Sequence, residues 1–364
     1  MRDAMIPWWT TDLGDAEIAA VTRAVRERHV NQGPVCAELE RRLAEQLDAP
    51  HVVAVANGSQ AVLVALLACG VGPGDEVILP ACTFIAGANA GALLGATVRL
   101  VDVRPDRPVI DVEQVRPVIT DRTKVILAVH LNGRVCDVAA LNDIAAPHGV
   151  NVVEDCAQAF CSRNDRGWLG TQADFGTFSM GLTKLITTGE GGFVVCRDGA
   201  ADDRLRRLRN QGARKGESTF DRFGFNFKLT DMQAAVGLAQ MDSLADRMAA
   251  VTRVYRLYEE ALADLDWLRL IDVRVDDGEL PLWAEVLCAE RGRVAAMLLE
   301  AGIRTAPYPP CLAESPHLNA AGEFPNARAF CERGLVLPCG THQPEENLRR
   351  VIGALHKIAP EIKR

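Results

Sequence analysis

Short apolar runs rich in Val, Ile and Leu alternate with helical patterns over the first two thirds of the chain. The runs typical of strands are 51–56, 76–79, 97–101, 124–129, 150–154, 175–179 and 193–196. The segments with helical periodicity or an unbroken apolar face are 15–28, 35–47, 61–69, 83–94 and 138–148. This alternation predicts an α/β fold with a mainly parallel sheet that is covered by helices on both faces.

The pattern changes after residue 229. Residues 229–262 read as a long helix or a pair of helices. Shorter elements follow, with strands expected at 280–287, 303–306 and 335–337 and helices at 289–300, 327–333 and 345–356. We therefore expect a large α/β domain over residues 1–240 and a small C-terminal α+β domain over 241–364, joined by the long helix.

Composition narrows the class of protein. The 364 residues carry a formal net charge of −8, which argues against non-specific binding to nucleic acid or to an anionic membrane. We find neither a signal-peptide pattern nor an apolar run of about 18 residues. The eleven cysteines contain no C-x-x-C spacing, so buried free thiols in a reducing cytoplasm are expected rather than disulfides or a zinc site.

The first candidate for chemistry is Lys184, which lies between the strand 175–179 and the glycine-rich turn 189–192. Confinement lowers the pKa of a lysine, and a deprotonated amine can form a Schiff base with a carbonyl compound. The alternative is an ordinary surface lysine in a loop, and the local sequence leaves both interpretations open.

Ligands of open α/β sheets bind beyond the carboxyl ends of the strands, so residues that follow the strands are further candidates. Gly58 and Ser59 begin a helix, where they suit a phosphate group or form a plain N-cap. Asp155 ends an apolar strand and suits a protonated pyridine nitrogen or an arginine. Gln158 could hydrogen-bond a ring oxygen, and Phe84 could stack on a ring or belong to the core. With Lys184, these groups together describe a pyridoxal-phosphate site.

Several stretches of the sequence resemble the DegT/StrS-type sugar aminotransferases, a fold-type I pyridoxal-phosphate family. They are VAVANGSQAVLVALLACGVGPGDEVILPACTF, VILAVHLNGRVCDVAAL, EDCAQAF, DFGTFSMGLTKLITTGEGG, FGFNFKLTDMQAAVGLAQM, LWAEVL and RTAPYPP. The resemblance covers nearly the whole chain, and the EDxAQA, lysine-GEGG and G-x-N signatures are specific in combination.

The resemblance implies roles for individual residues. Lys184 would form the Schiff base and act as general base and acid, and Asp155 would hold the pyridine nitrogen. Ser179 would join the helix start at the phosphate, and Asn226 would reach the phosphate from a neighbouring subunit, which implies a homodimer with shared active sites. The cofactor-binding set is then Gly58, Ser59, Phe84, Asp155, Gln158, Ser179, Lys184 and Asn226, with no metal.

The implied reaction moves an amino group from glutamate or glutamine to a small-molecule ketone in amino-sugar or antibiotic biosynthesis. The acceptor would be a nucleotide-linked keto-sugar or a related keto-cyclitol. A dehydratase or eliminase of the same fold is an alternative, since some relatives without the lysine dehydrate their substrates, and the presence of Lys184 favours transamination. A non-catalytic cofactor-binding subunit is a further alternative.

Three further features of the sequence are consistent with more than one role. Phe160, Met180 and Gly181 depart from the family pattern and are expected near the substrate. His130 ends a strand and could contact a ligand or be structural. A basic cluster could bind a diphosphate or carboxylate across a dimer interface or form a solvated helix face, and it comprises Arg204, Arg206, Arg207, Arg209, Arg214, Lys215 and Arg222.

Overall fold

The computed structural model describes residues 5–214, 216, 219–220 and 222–362. The strands in this part of the chain are β1 (His51–Val55), β2 (Glu76–Pro80), β3 (Thr97–Val101), β4 (Thr123–Val129), β5 (Asn151–Asp155), β6 (Arg163–Asn164), β7 (Gly167–Trp168), β8 (Phe175–Ser179), β9 (Gly192–Cys196), β10 (Leu268–Leu270), β11 (Ala284–Cys288), β12 (Ala306–Pro307) and β13 (Gly334–Leu337).

Helices lie between most of these strands. They are α1 (Asp15–Arg26), α2 (Pro34–Leu47), α3 (Gly58–Ala68), α4 (Ala86–Leu93), α5 (Val138–Ala145), α6 (Gly199–Arg209), α7 (Asp231–Asp242), α8 (Leu244–Ala261), α9 (Arg291–Glu300), α10 (Pro325–Arg333) and α11 (Glu345–Ile362). The segment expected as a long helix or a pair is a pair, and Ser243 separates its two helices.

The large sheet has the strand order β1-β9-β8-β5-β4-β2-β3. β9 runs antiparallel to β1 and β8, whereas the pairs formed by β8, β5, β4, β2 and β3 are parallel. The prediction of a mainly parallel sheet flanked by helices is confirmed. Parallel strands that are buried on both faces need continuous apolar sequence, and the parallel strand β2 is buried along its whole length.

A second, antiparallel sheet has the order β10-β11-β13-β12. The strand predicted at 335–337 is present as Gly334–Leu337, whereas two others start later than the sequence predicts. The strand expected at 280–287 begins only at Ala284, because the Leu280 N–H donates to Ser162 Oγ and the Trp283 N–H donates to Asn132 Oδ1 instead of to a strand. The strand expected at 303–306 is reduced to the two residues Ala306–Pro307.

The N-terminal segment crosses to the C-terminal half of the chain. Ile6 forms a bridge with Ile303, and Trp9 forms one with Cys339. Ile6 and Trp9 also belong to one hydrophobic cluster with residues of β11 and β13. The division at residue 240 stays a prediction, and this crossing ties the first residues of the chain to the smaller sheet.

All eleven cysteines are buried and carry free thiols, as the sequence predicts. Within the described residues, no helix combines the length and apolar character that crossing a membrane requires.

Candidate active site

A cleft of about 610 Å³ opens at the carboxyl ends of the parallel strands. Its position follows from the sheet register, which pairs Val129 with Asp155 and Asp155 with Thr177, so that β4, β5 and β8 end side by side. The residues that line it are Asn57, Gly58, Ser59, Val62, Thr83, Phe84, Ala86, Val129, His130, Asp155, Ala157, Gln158, Ser179, Gly181, Leu182, Thr183, Lys184, Glu190 and Trp283.

One wall of the cleft is the first turn of α3. Asn57 caps this helix by accepting from the Gln60 N–H at 2.9 Å, so the cap is neither Gly58 nor Ser59. A Cβ added at Gly58 would lie 2.6 Å from Ser179 Cβ and 2.9 Å from Ser179 Oγ. The glycine therefore permits a close approach between the helix start and the end of β8, and both face the cleft.

Asp155 ends β5 on the floor of the cleft and is 8% exposed. Its Oδ1 accepts from the Ala157 N–H at 3.0 Å. Burial raises the pKa of the carboxyl group, whereas the Ala157 N–H, Lys184 and His130 lower it. Within the described residues it forms no salt bridge with an arginine, so the structural alternative considered for Asp155 does not apply.

Lys184 follows β8 and is partly buried beside Asp155. Its Nζ lies 5.2 Å from the ring centroid of Trp283, within the range of a cation–π contact. Burial lowers the pKa of the amine to about 8, and the charges of Asp155 and Glu190 act in the opposite direction. A lysine with this environment is deprotonated part of the time near neutral pH, which a surface loop lysine is not.

Gln158 and Phe84 both line the cleft, but Gln158 is buried and Phe84 is exposed. The Gln158 Oε1 accepts from the Asn132 N–H at 2.9 Å, which leaves its NH₂ group as the free donor. Phe84 is 60% exposed, so the interpretation of this ring as ordinary core is wrong. Its exposed face is available to a flat ligand in the cleft.

Asn226 is the one predicted site residue that the structure does not bring into this cleft. It is exposed, it forms a bridge with Asn210, and its Oδ1 accepts from the Lys228 N–H at 3.4 Å. Asn226 therefore does not bind a cofactor in the cleft of its own chain, and its placement at the cofactor of a neighbouring subunit stays a prediction.

Two of the three residues that depart from the family pattern do not line this cleft, although Phe160 lines a small adjoining cavity with Ser179 and Lys184. Met180 is fully buried, and Phe160 packs edge-on against Phe178 and Phe193 in the core behind Lys184. Both are apolar and belong to the same buried hydrophobic cluster. Gly181 alone of the three lines the cleft.

His130 has a structural environment although it borders the cleft. Its ring is fully buried, its Nε2 lies 3.1 Å from Glu154 Oε2, and its Nδ1 accepts from the Cys136 N–H at 3.1 Å. Glu154 in turn accepts from the backbone N–H groups of Gly170, Gln172 and Ala173. This network fixes the loop before β8 against β5.

Four arginines of the basic cluster, Arg206, Arg207, Arg209 and Arg214, form ion pairs. Arg209 is 7% exposed and pairs with Glu40, and Arg206 pairs with Glu40 and Asp202. Arg207 pairs with Asp203, four residues earlier on α6. Arg207 and Arg209 are buried and therefore do not belong to a solvated helix face, whereas Arg204 and Arg214 are exposed. A ligand role for the exposed arginines stays a prediction. Lys215 lies outside the described residues, and Arg222 is exposed.

Glu190 and Trp283 line the cleft, and Asn132 binds two cleft residues, Gln158 and Trp283, although the sequence did not single out any of the three. Glu190 belongs to the glycine-rich turn and Asn132 follows β4, so both had a positional signal. Trp283 comes from the C-terminal part of the chain, inside the LWAEVL stretch. The resemblance of the LWAEVL stretch was the only signal for Trp283 in the sequence, because no neighbouring residue indicates that its ring faces Lys184.

Comparisons with known proteins agree on one family. The sequence model of the DegT/DnrJ/EryC1/StrS aminotransferase family matches residues 11–356. The chain is 36% identical over 336 residues to GDP-perosamine synthase of Caulobacter vibrioides, covering 90% of each protein. It is 35% identical over 358 residues to dTDP-3-amino-3,4,6-trideoxy-alpha-D-glucose transaminase of Streptomyces venezuelae, covering 94% of this chain and 92% of the relative.

Solved aminotransferase structures superpose on nearly the whole chain. DesV of Streptomyces venezuelae, solved in complex with a ketimine intermediate, superposes with a TM-score of 0.92 at 32% identity, over 98% of this chain and 99% of DesV. Spr1654 of Streptococcus pneumoniae in its PLP form superposes with a TM-score of 0.92 at 25% identity, over 98% of this chain and 99% of that one.

Proposed function

The chain belongs to the DegT/DnrJ/EryC1/StrS aminotransferase family and is a pyridoxal-phosphate-dependent sugar aminotransferase, and we propose that it transfers an amino group from glutamate or glutamine to a nucleotide-linked keto-sugar. A keto-cyclitol is the alternative acceptor. One observation carries the proposal: the lowered-pKa amine of Lys184 faces Asp155 in a cleft whose wall is the open first turn of α3.

The residues present fit pyridoxal phosphate. The Asp155 carboxylate suits a protonated pyridine nitrogen, and the free NH₂ of Gln158 suits the ring hydroxyl oxygen. The start of α3 offers the N–H groups and partial positive charge that bind phosphates, and Ser59 and Ser179 add hydroxyl donors. Because Gly58 has no side chain, the start of α3 approaches Ser179 more closely than any other residue would allow.

We assign the proton transfer to Lys184. When bound, the cofactor supplies an electron sink that stabilises negative charge on the carbon next to the transferred nitrogen. The neutral Lys184 amine takes a proton from the donor's carbon and, in the second half of the reaction, delivers one to the acceptor carbon. A pKa of about 8 suits both directions near neutral pH. Asp155 keeps the proton on the pyridine nitrogen in place.

The class of acceptor rests on the relatives. Two of them are named for GDP- and dTDP-linked amino sugars, so a nucleotide-linked ketone is the acceptor that we propose for this chain. The donor is proposed as glutamate or glutamine, which leave as 2-oxoglutarate or its amide.

Incubating the pyridoxamine form of the enzyme with a panel of nucleotide-linked keto-sugars and keto-cyclitols tests this proposal. The expected result is return of the aldehyde form's absorption with one acceptor class, and release of one keto acid per amine formed when donor is added. Loss of ammonia or water from the sugar without keto acid would instead identify an eliminase. Lys184→Ala is the negative control.

We also propose a homodimer with shared active sites. Asn226 lies outside its own cleft, and two exposed phenylalanines precede it in the chain, with Phe223 68% and Phe225 59% exposed. Contiguous exposed aromatic side chains are typical of a surface that another protein covers. A second copy of the chain on this surface could place its Asn226 at the phosphate.

Subunit mixing tests the shared site. Lys184→Ala and Asn226→Ala chains each carry one defect, so a mixed dimer would contain one intact site if Asn226 acts across the interface. We expect activity to recover toward about a quarter of wild type for random pairing. A fully active monomer in sedimentation experiments, or no recovery from stable mixed dimers, would contradict the arrangement.

A further inference from the structure

Asn132 has an unusual set of contacts for a residue outside the family's cofactor-binding set. It is fully buried and adopts a left-handed conformation, with φ 54° and ψ 42°. Its side chain accepts from the Trp283 N–H at 2.7 Å and donates to the Trp283 carbonyl at 2.9 Å. Its own backbone N–H donates to Gln158 Oε1 at 2.9 Å. One residue thus holds two residues of the cleft.

The loop that carries Asn132 docks closely on the segment before β11. A Cβ at the next residue, Gly133, would lie 2.0 Å from the Leu280 carbonyl oxygen, and this glycine has φ 80°. Only glycine allows both the conformation and the approach. The reciprocal pair between Asn132 and Trp283 is therefore part of a tightly fitted contact between the end of β4 and the C-terminal part of the chain.

Trp283 covers Lys184. Its ring centroid lies 5.2 Å from Lys184 Nζ, and its Nε1 donates to the Thr183 carbonyl at 3.2 Å. Trp8 packs edge-on against the far side, with centroids 6.1 Å apart and an interplanar angle of 78°. The indole is thus fixed at its backbone by Asn132 and at its ring by Thr183 and Trp8.

We propose that Asn132 is a positioning residue that sets the Trp283 ring against Lys184 and turns the NH₂ of Gln158 toward the cofactor ring. This inference rests on the proposed role of Lys184 and adds the element that fixes the surroundings of its amine. The Gln158 oxygen accepts from the backbone N–H of Asn132, so changes to the Asn132 side chain leave the orientation of that amide intact. The two hydrogen bonds from the Asn132 side chain to the Trp283 backbone, which we call the Trp283 clamp, are lost with that side chain.

The clamp matters for the protonation of Lys184. The acidic groups that face its amine are Asp155 on β5 and Glu190 in the glycine-rich turn, and both favour the charged form; His130 also borders the cleft. Burial acts against the charged form and lowers the pKa to about 8. Releasing Trp283 removes a cation–π contact that favours the charged amine, but it also admits water. Because burial is the largest influence on this amine, the second effect should prevail and the pKa should rise toward the ordinary lysine value.

Asn132→Gly isolates the clamp, because glycine keeps the left-handed backbone and the N–H that holds Gln158. The matched control is Asn319→Gly. Asn319 has nearly the same backbone conformation, with φ 46° and ψ 39°, and is exposed. Its side chain makes no hydrogen bond with any residue of the described ranges.

The measurement is competitive labelling of the full, cofactor-free chain with acetic anhydride across pH, with Lys184 read by mass spectrometry. Only neutral amines react, so the midpoint reports the pKa of Lys184. We expect Asn132→Gly to raise the midpoint by about half a pH unit or more, roughly a threefold smaller neutral fraction at neutral pH. Asn319→Gly should leave it unchanged.

A double-mutant cycle excludes a merely structural effect. Trp283→Ala should raise the midpoint at least as much, and adding Asn132→Gly to it should raise it no further. An unchanged midpoint in folded Asn132→Gly, or additive shifts in the double variant, overturns the proposal. The labelling needs neither cofactor nor substrate, so its failure is distinct from failure of the proposed amino transfer.

Discussion

Lys184 is placed between two carboxylates, Asp155 and Glu190, with the Trp283 ring on a third side. The carboxylates favour the ammonium form, but burial prevails and lowers the pKa to about 8. Position after a strand was enough to nominate Lys184 and Asp155 from the sequence. The pairing of Asn132 with Trp283 was not predictable, because the two residues are 151 positions apart and no local pattern links them.

The lowered pKa predicts the pH dependence of the chemical step. Lys184 must be neutral to take a proton, so the single-turnover rate with the amino donor should rise with pH and level off above about 8. Stopped-flow absorption between pH 6 and 10 measures it. A rate that is constant across pH 7–9 would argue against Lys184 as the base.

At the scale of elements, the start of α3 is the clearest case of sequence and structure in agreement. The almost wholly apolar helix was expected after β1, and the structure begins it at Gly58, one residue after the Asn57 cap. What the sequence could not show is the contact of Gly58 with Ser179 on β8, because strand order decides which strand end lies beside the helix. The shortened β11 has the same cause, since Asn132 binds Trp283 where a strand was expected.

Gly58→Ala should weaken cofactor binding. The added Cβ would meet Ser179 Cβ at 2.6 Å, which forces the helix start and the end of β8 apart and enlarges the phosphate cradle. We expect the Kd for pyridoxal phosphate to rise about tenfold or more, the equivalent of ~1.4 kcal/mol. Fluorescence titration of the cofactor-free enzyme gives the Kd.

Gly199→Ala is the control for this substitution. Gly199 is also the first residue of an eleven-residue helix, α6, and nothing lies within 4 Å of a Cβ built there. It should leave the Kd unchanged. Equal effects from the two substitutions would refute the close contact at Gly58 as the cause.

For the whole molecule, buried ion pairs join the large sheet to the smaller one. Arg134, after β4, is fully buried and its Nη1 lies 2.6 Å from Glu285 Oε2 on β11. Arg107, after β3, pairs with Glu279 in the same region at 2.5 Å. The alternation of strands and helices predicted the large sheet, but these contacts and the return of the N-terminal segment depend on tertiary packing alone.

Arg134→Met tests this junction. It leaves Glu285 buried without its cation, and breaking one side of a buried pair costs about 3–5 kcal/mol. Urea unfolding should show a loss of that size in the free energy of unfolding.

The exposed pair of Arg349 and Glu345 provides the comparison. Arg349→Met should change the free energy of unfolding by less than about 1 kcal/mol, as exposed pairs do. A similar small loss for Arg134→Met would mean that the junction does not depend on its ion pair.

The central claim is that Lys184 holds the cofactor, and borohydride reduction followed by peptide mapping tests it most directly. Reduction makes the link between lysine and cofactor permanent, so mass spectrometry can locate it. The account predicts the pyridoxyl group on the peptide that contains Lys184, and no such adduct in Lys184→Ala. An adduct on any other lysine of the native enzyme, or an undiminished adduct in Lys184→Ala, would contradict it.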